Sequence, residues 1–174
     1  MPIIRQVAQL GHEILRKTAT EIKEIDSLSL QSLIEDMLAT VSDTNGVGIA
    51  APQIYESLRI FIMASTPNLR YPDAPEMEPT AIINPEILWT SNEMEKDWEG
   101  CLSVPGIRGL VPRYKKIGVK YTTREGIIKE EELSDFLARI FQHESDHLNG
   151  LSFLDRLEST KDIITDKEFY KLLS

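Results

Sequence analysis

Apolar residues first recur at helical spacing between Ser27 and Asp43, and this pattern predicts an amphipathic helix. Asp26 or Ser27 can cap its start, and Asn45-Gly46 provides a turn after its end. The apolar positions that form the stripe are Leu30, Leu33, Ile34, Met37, Leu38 and Val41. One face of this helix is therefore expected to pack against a core.

A second helix is predicted from Ser134, which can cap it, to Leu148, with Asn149-Gly150 after its end. One stripe of this helix holds Phe136, Ile140, His143 and His147, and the adjacent stripe holds Leu137, Phe141, Glu144 and Leu148. The apolar face thus runs into two histidines and a glutamate, which point inward. Because a buried glutamate beside two buried histidines is unfavourable without partners, a metal ion is the simplest explanation.

The rest of the chain predicts short strands separated by turns. The strand candidates are Arg59–Ala64, Ala81–Ile83, Ile87–Trp89, Arg108–Val111, Ile117–Thr122 and Ile127–Glu131. The proline-broken segment Ser65–Pro79 has no apolar period and is expected to be a surface loop, whereas Asp166–Leu173 is expected to form a short terminal helix. These elements predict an α+β fold in one domain over residues 1–174, with antiparallel strands packed around a central helix.

The charge of the chain restricts its partners. The 174 residues carry a net charge of −9 with a pI near 4.9, which argues against broad binding to nucleic acid or anionic membranes. Cys101 is the only cysteine, so no internal disulfide can form and a reducing compartment is expected. No apolar run is long enough to cross a bilayer, and the N-terminus lacks the apolar run of a signal peptide. A cytoplasmic protein is therefore expected.

The run from His143 to His147 places two histidines four residues apart on a helix, where both imidazoles can reach one metal ion. Glu144 lies beside them and is free to transfer protons while water attacks a carbonyl. A tetrahedral site needs one more protein ligand. The candidates are Cys101, a downstream carboxylate such as Glu158 or Glu168, and, less favoured because no matching pattern surrounds it, His12.

Residues Asn45–Gln53 form a segment in which glycines and alanines exclude bulk. It is not a phosphate-binding loop, because the Gly-Lys-Ser/Thr ending is missing. One interpretation is a tight turn that leads into a packed strand. The other is the wall of a ligand cleft, with backbone groups for an extended peptide and Gln53 as a neutral donor. These residues alone favour the first interpretation.

Together, these segments resemble the peptide deformylase family, metal hydrolases that remove the formyl group from N-formylmethionyl nascent chains. The family's Gly-x-Gly-Leu-Ala-Ala-Pro-Gln run is matched at Gly46–Gln53 except at Ile49. Its Glu-Gly-Cys-Leu-Ser run is matched at Glu99–Ser103, and its His-Glu-x-x-His run at His143–His147. The order of these motifs, with supporting similarity over nearly the whole chain, makes the resemblance specific.

The resemblance implies an activity and roles for particular residues. It implies one metal ion, Fe2+, which Zn2+, Ni2+ or Co2+ can replace, held by Cys101, His143 and His147. It implies that Glu144 takes a proton from water and later delivers one to the leaving amine. The Leu102 backbone N–H and the Gln53 side-chain amide would stabilise the developing oxyanion.

The resemblance also implies a cleft for N-formylmethionyl peptides. The residues expected to line it are Gly46, Val47, Gly48, Gly100, Arg108, Phe136, Arg139 and Ile140. Arg139 is unexpected there; its stem can pack while its charge reaches the rim, or it can change the preference for the side chain after the formyl group. Asn45 stands where many relatives carry an acidic residue; if that acid would pair with Arg108, the contact is neutral or absent here. Glu99 and Arg113 are expected to form a buried ion pair beside the metal site.

Three alternatives remain open at the level of the sequence. A zinc peptidase would use a downstream acid as its third ligand. A deformylase-like fold without catalysis would lack one of Gln53, Cys101 or Glu144, all of which are present. An active paralogue with shifted substrate preference is suggested by Asn45, Ile49 and Arg139. A contact with the ribosome is a further expectation, since nascent chains emerge there, but the C-terminal lysines are too sparse to support it.

Overall fold

Two antiparallel sheets and three helices make up the protein, whose structure, a computed structural model, describes residues 1–174. The helices are α1 (Leu28–Asp43), α2 (Asp135–Leu148) and α3 (Asp166–Leu172). The strands are β1 (Gly48–Ala50), β2 (Ile60–Met63), β3 (Thr80–Thr90), β4 (Met94–Cys101), β5 (Val104–Tyr114), β6 (Lys116–Thr122), β7 (Ile128–Ser134) and β8 (Ile163–Thr165). Short 3-10 helices cover Glu13–Arg16, Ala51–Ile54, Phe153–Arg156 and Thr160–Asp162.

The larger sheet, in the order β1-β2-β3-β6-β7, is covered by a helix on each face, and the smaller sheet has the order β4-β5-β8. Strand β2 shows the arrangement: Ile60 and Ile62 pack in the core with α1, whereas Phe61 and Met63 pack in the core with α2. The Phe61 ring meets Phe141 of α2 edge-on, with ring centroids 5.2 Å apart. The apolar run of this strand thus reflects burial on both faces. The predicted α+β fold with a central helix is confirmed.

The ends of the helices follow the sequence only in part. Ser27 caps α1 as predicted, because its hydroxyl accepts a hydrogen bond from the Leu30 backbone N–H at 3.3 Å. The predicted cap of α2 is wrong, since the Ser134 side chain makes no such bond. Instead, Gln142 fixes α2 from its interior: its side-chain amide exchanges hydrogen bonds of 3.0 and 2.9 Å with the backbone of Tyr114, at the end of β5.

Two of the predicted strands, Ala81–Ile83 and Ile87–Trp89, are parts of the single strand β3. The pairing of β3 with β6 shifts register between Ile83 and Glu86, where Pro85 cannot donate a hydrogen bond. Asn84 adopts a φ of 50° at this bulge, and its side chain binds the backbone N–H and carbonyl of Ile22. The bulge therefore keeps Thr80–Thr90 in one strand across the proline.

Strand β4 was not predicted, because its first half is exposed and largely charged and the strand shows no apolar alternation. It is held by antiparallel pairing with β5. The segment Ser65–Pro79 contains no helix or strand, as expected, but its Ser65 and Ala74 are buried, so it is not wholly a surface loop. The terminal helix is confirmed as α3. None of the helices combines the length and the apolar character that crossing a membrane requires.

Candidate metal centre and substrate cleft

Helix α2 and strand β4 bring three potential metal ligands together. His143 and His147 lie one turn apart on α2, with ring centroids 5.2 Å from each other. Cys101 is the last residue of β4, and its Sγ lies 3.3 Å from Nε2 of His147. One donor atom from each of the three residues lies within 4.8 Å of the other two. The helical spacing of the histidines thus gives the geometry that the sequence predicted.

The other candidate ligands lie elsewhere. Glu158 forms a salt bridge with Lys96, and Glu168 forms one with Lys171 at 2.8 Å on the exposed side of α3. His12 caps a 3-10 helix, where its Nδ1 accepts a hydrogen bond from the Ile14 backbone N–H at 3.2 Å. The structure therefore brings Cys101 to the histidines and leaves the alternative ligands of a zinc peptidase engaged with other partners.

The chemistry of this donor set fits a divalent transition metal. Burial raises the pKa of the Cys101 thiol, but the imidazoles of His147 and His143 outweigh burial and bring the pKa well below its ordinary value. The thiolate is the form that binds metal. Nδ1 of His143 lies 2.7 Å from a Glu99 carboxylate oxygen, which leaves Nε2 for an ion. A thiolate with two imidazoles suits Fe2+, Zn2+, Ni2+ or Co2+.

Glu99 supports the metal site from behind His143. Its buried carboxylate accepts hydrogen bonds from Arg113 at 2.9 and 3.0 Å, so the predicted ion pair is present. It also accepts one from Arg139 at 2.7 Å, a contact that the sequence did not suggest. Burial raises the pKa of Glu99, but Arg113 and His143 lower it more, and the net pKa lies far below the ordinary value. Glu99 therefore stays ionised and holds the His143 ring in place.

Asp146 extends this set of ion pairs toward the surface. Its carboxylate accepts hydrogen bonds from Arg113 at 2.6 Å and from Arg156 at 2.7 Å. Arg113 therefore bridges Glu99 of β4 and Asp146 of α2, the two elements that carry the potential ligands. The sequence marked Asp146 only as part of the histidine run, and nothing in it pointed to Arg156.

Glu144 lies beside the metal ligands without joining them. Its Oε2 is buried and has no hydrogen-bond partner in the protein. A Cβ atom at Gly48 would lie 2.6 Å from Glu144 Oε1 and 3.0 Å from the carbonyl oxygen of Ile62, so only glycine fits there. The lack of bulk around Gly48 thus reflects the approach of β1 to this carboxylate. Burial raises the pKa of Glu144 to about 7, against the opposing effect of the two imidazoles.

Gln53 presents its side-chain amide nitrogen to Cys101. Its Oε1 accepts a hydrogen bond from the Ala50 backbone N–H at 2.9 Å. Its Nε2 donates to the Ser103 hydroxyl at 3.1 Å and lies 3.4 Å from Cys101 Sγ. The Ala50 contact therefore fixes which end of the amide faces the metal ligands. Leu102 borders the same cleft.

Comparison with known proteins identifies the family. The sequence model described as polypeptide deformylase matches residues 4–162. The chain belongs to the polypeptide deformylase family. The chain is 54% identical to peptide deformylase 2 of Nostoc sp. over 173 residues. This alignment covers 99% of this chain and 97% of that protein. It is 48% identical to peptide deformylase 2 of Shewanella oneidensis, over 86% of this chain and 82% of that protein.

Solved deformylases share the fold. A class I type b peptide deformylase from Acinetobacter baumannii, with Met-Ala-Ser bound, has a TM-score of 0.88 at 49% identity and covers 90% of this chain and 100% of that chain. The peptide deformylase of Thermotoga maritima has a TM-score of 0.81 at 40% identity and covers 90% of this chain and 99% of that chain. Family membership and the cluster of Cys101, His143 and His147 together support deformylase activity.

The cleft of this deformylase opens beside the metal ligands. The residues expected from the sequence at this cleft all border it: Gly46, Val47, Gly48, Gly100, Arg108, Phe136, Arg139 and Ile140. Arg70 and Tyr71 of the loop Ser65–Pro79 also border it and were missed. No sequence signal pointed to them, because the loop has no apolar period and its path depends on tertiary contacts.

Arg139 does not place its charge at the rim of the cleft. Its guanidinium is buried, and it donates hydrogen bonds to Glu99 at 2.7 Å, to the Val111 carbonyl at 2.8 Å and to the Glu95 carbonyl at 2.7 Å. The expectation that the charge reaches the rim is therefore wrong. The reason is that Glu99 and the two carbonyls of the β4–β5 hairpin offer acceptors next to the cleft wall.

Proposed function

We propose that this deformylase removes the formyl group from N-formylmethionyl peptides, with Fe2+ as its resident metal and Zn2+, Ni2+ or Co2+ as possible replacements. The observation that carries the proposal is the cluster of Cys101, His143 and His147 with the Glu144 carboxylate beside it. The Acinetobacter baumannii relative with bound Met-Ala-Ser supports a peptide as the ligand of the cleft.

Glu144 moves the protons in the proposed reaction. Cys101, His143 and His147 would hold the metal ion, which would lower the pKa of a bound water molecule and polarise the formyl carbonyl. Glu144 accepts the proton of the attacking water, since its buried Oε2 has no protein partner to compete. The same carboxyl then delivers the proton to the leaving amine, which restores the ionised form. A buried carboxylate with a raised pKa suits both transfers.

Gln53 and Leu102 stabilise the oxyanion in the proposed mechanism. The Gln53 Nε2 faces the cleft at Cys101, because its Oε1 is held by the Ala50 backbone N–H. A neutral amide can donate to a developing negative charge without itself losing a proton. The Leu102 backbone N–H is the second proposed donor, since Leu102 follows Cys101 and borders the cleft.

The peptide is proposed to bind as an added strand along β1. This strand lies at the edge of the larger sheet and pairs on one side only, with β2. An edge strand offers unpaired backbone groups to an extended peptide. The methionine side chain would then lie among Val47, Phe136 and Ile140, with the methylene stem of Arg139 beside them. Gly46, Gly48 and Gly100 border the same cleft.

The first test is formate release from formyl-Met-Ala-Ser by protein loaded anaerobically with Fe2+. We expect release that stops when a chelator removes the metal and returns when metal is restored. Acetyl-Met-Ala-Ser is the matched control, and it should be a much poorer substrate because the larger acyl group crowds the carbonyl carbon. No formate release from a folded, metal-loaded protein would contradict the proposed function. Faster release of acetate from the acetyl peptide than of formate from the formyl peptide would identify a paralogue with shifted preference.

Two expectations about the cellular setting remain predictions. A cytoplasmic location rests on the single cysteine, which allows no internal disulfide. A ribosome contact rests only on the nature of the proposed substrate. Cosedimentation with ribosomes, compared at low and high salt, would measure the second.

A further inference from the structure

Arg108 is a buried arginine at the wall of the cleft, and it presses against the residue before a metal ligand. Its side chain is 4% exposed. A Cβ atom at Gly100 would lie 2.6 Å from one of its terminal nitrogens, so the guanidinium lies directly against the backbone of β4. Gly100 precedes Cys101, and both border the cleft with Arg108. The position of this guanidinium therefore shapes the cleft wall next to the reaction site.

The terminal helix α3 holds Arg108 in two ways. The Asp166 carboxylate accepts a hydrogen bond from Arg108 Nε at 3.0 Å. The buried ring of Phe169 lies under the guanidinium, with its centroid 4.6 Å from Cζ. Strand β8 leads into this helix and pairs with β5, where Ile164 lies opposite Arg108. The pairing of β8 with β5 thus places Asp166 and Phe169 next to Arg108.

No other acid takes the place of Asp166. The acids that border the cleft are Glu99 and Glu144, and Glu99 already binds Arg113, Arg139 and His143. Position 45 carries a neutral asparagine. The salt bridge of Arg108 is therefore made with Asp166 alone. The match to the family model ends at residue 162, so Asp166 and Phe169 lie beyond it.

Arg108 also contacts a second segment that borders the cleft. Its Nη1 lies 3.5 Å from the hydroxyl of Tyr71, in the loop Ser65–Pro79. The Tyr71 ring packs against Phe136 of α2, with centroids 4.9 Å apart. A chain of contacts thus runs from α3 through Arg108 and Tyr71 to the side-chain pocket on α2.

We propose that α3 is part of the substrate-binding apparatus, with Asp166 and Phe169 as positioning residues that hold Arg108 against Gly100 and Tyr71. The inference rests on the proposed function, because it assumes that the peptide lies in this cleft. Neither residue borders the metal ligands, so the helix is expected to act on peptide binding and not on the chemical step. Its effect should therefore appear in KM and leave kcat nearly unchanged.

Asp166→Asn in the metal-loaded enzyme tests the proposal. We expect the KM for formyl-Met-Ala-Ser to rise roughly tenfold, the loss typical of one hydrogen bond between charged groups. Metal content and kcat should stay within about twofold, since no ligand is touched. Glu168→Gln is the matched control: it removes an acid from the same helix, where Glu168 pairs only with Lys171, and it should leave KM unchanged. Thermal unfolding of both variants checks that they fold alike.

A second variant and a binding measurement complete the test. Phe169→Leu removes the ring under the guanidinium and keeps an apolar side chain, so it should raise KM in the same direction. Calorimetric binding of the peptide Met-Ala-Ser needs no turnover, and weaker binding by Asp166→Asn than by Glu168→Gln would support the role of α3 even if formate release failed in the wild type. Equal KM and binding for these two variants would overturn the proposal, and so would a loss of kcat and metal together.

Discussion

Glu144→Gln is expected to remove nearly all formate release while the metal stays bound. The amide has the shape of the carboxylate but cannot accept a proton from water, and general-base catalysis typically contributes about 10²–10⁴-fold to a rate. The ligand cluster consists of Cys101, His143 and His147, so the variant should retain its metal. Formate release and metal content per chain are the two measurements. Loss of the metal, or a rate within about tenfold of the wild type, would contradict the role of Glu144.

The same substitution should stabilise the metal-free protein at alkaline pH. Burial raises the pKa of Glu144 to about 7 from an ordinary 4.5, so the ionised form is disfavoured in the folded state. An acid with a raised folded pKa costs no stability below the pKa of the unfolded chain, and the cost grows until the pH passes the folded pKa. Denaturant unfolding at pH 8 should therefore favour the glutamine variant by on the order of 1–3 kcal/mol, with the difference vanishing in acid.

A stabilising substitution that abolishes activity would place Glu144 among residues kept for chemistry at the expense of stability. The position of Gly48 fits this interpretation, because β1 approaches the carboxylate so closely that any side chain there would collide with it. The wild-type sequence thus surrounds an unpaired carboxylate oxygen with protein. Water held near the metal is the partner that the proposed mechanism gives it.

The sequence carried enough information to predict the metal-binding helix and its register. Helical period alone turns Phe136, Ile140, His143 and His147 to one side. In the structure Ile140 is buried and Phe136 is half-buried against the core of the larger sheet. The helical period was enough to predict this arrangement, because the two histidines on α2 are four residues apart and so lie on one face. The same rule predicted α1 and its Ser27 cap, and the short apolar runs predicted β2 and β6.

Features that depend on distant parts of the chain were not predictable in the same way. Strand β4 has exposed charged side chains, so its existence follows from pairing with β5 and not from its own pattern. Arg139 meets Glu99 across 40 residues, and Arg108 meets Asp166 across 58. No periodicity relates residues at such separations. The choice of Cys101 as the third ligand likewise needed the family resemblance, because its partner histidines are more than 40 residues away.

Glu99→Gln is expected to weaken both the fold and the metal site. Glu99 accepts hydrogen bonds from Arg113 and Arg139 and contacts Nδ1 of His143. A neutral amide leaves Arg139 without its carboxylate partner and leaves Arg113 with Asp146 alone. Removal of one partner from a buried ion pair typically costs about 3–5 kcal/mol. The His143 ring also loses its orienting carboxylate, for which a loss of about 10–100-fold in metal affinity is typical.

Chelator competition and denaturant unfolding measure these two effects. Glu95→Gln is the matched control, since it neutralises an exposed acid on the same strand whose backbone carbonyl still accepts from Arg139. The pKa of Glu99 in the folded protein lies far below its ordinary 4.5. Glu99 therefore stabilises the metal-free protein fully above pH 4.5, and this stabilisation is lost as the pH falls through the lower folded pKa. The wild type and Glu99→Gln should therefore converge in stability in strong acid. Equal stability of the two proteins at neutral pH would show that Arg113, through Asp146, holds β4 and α2 together without Glu99.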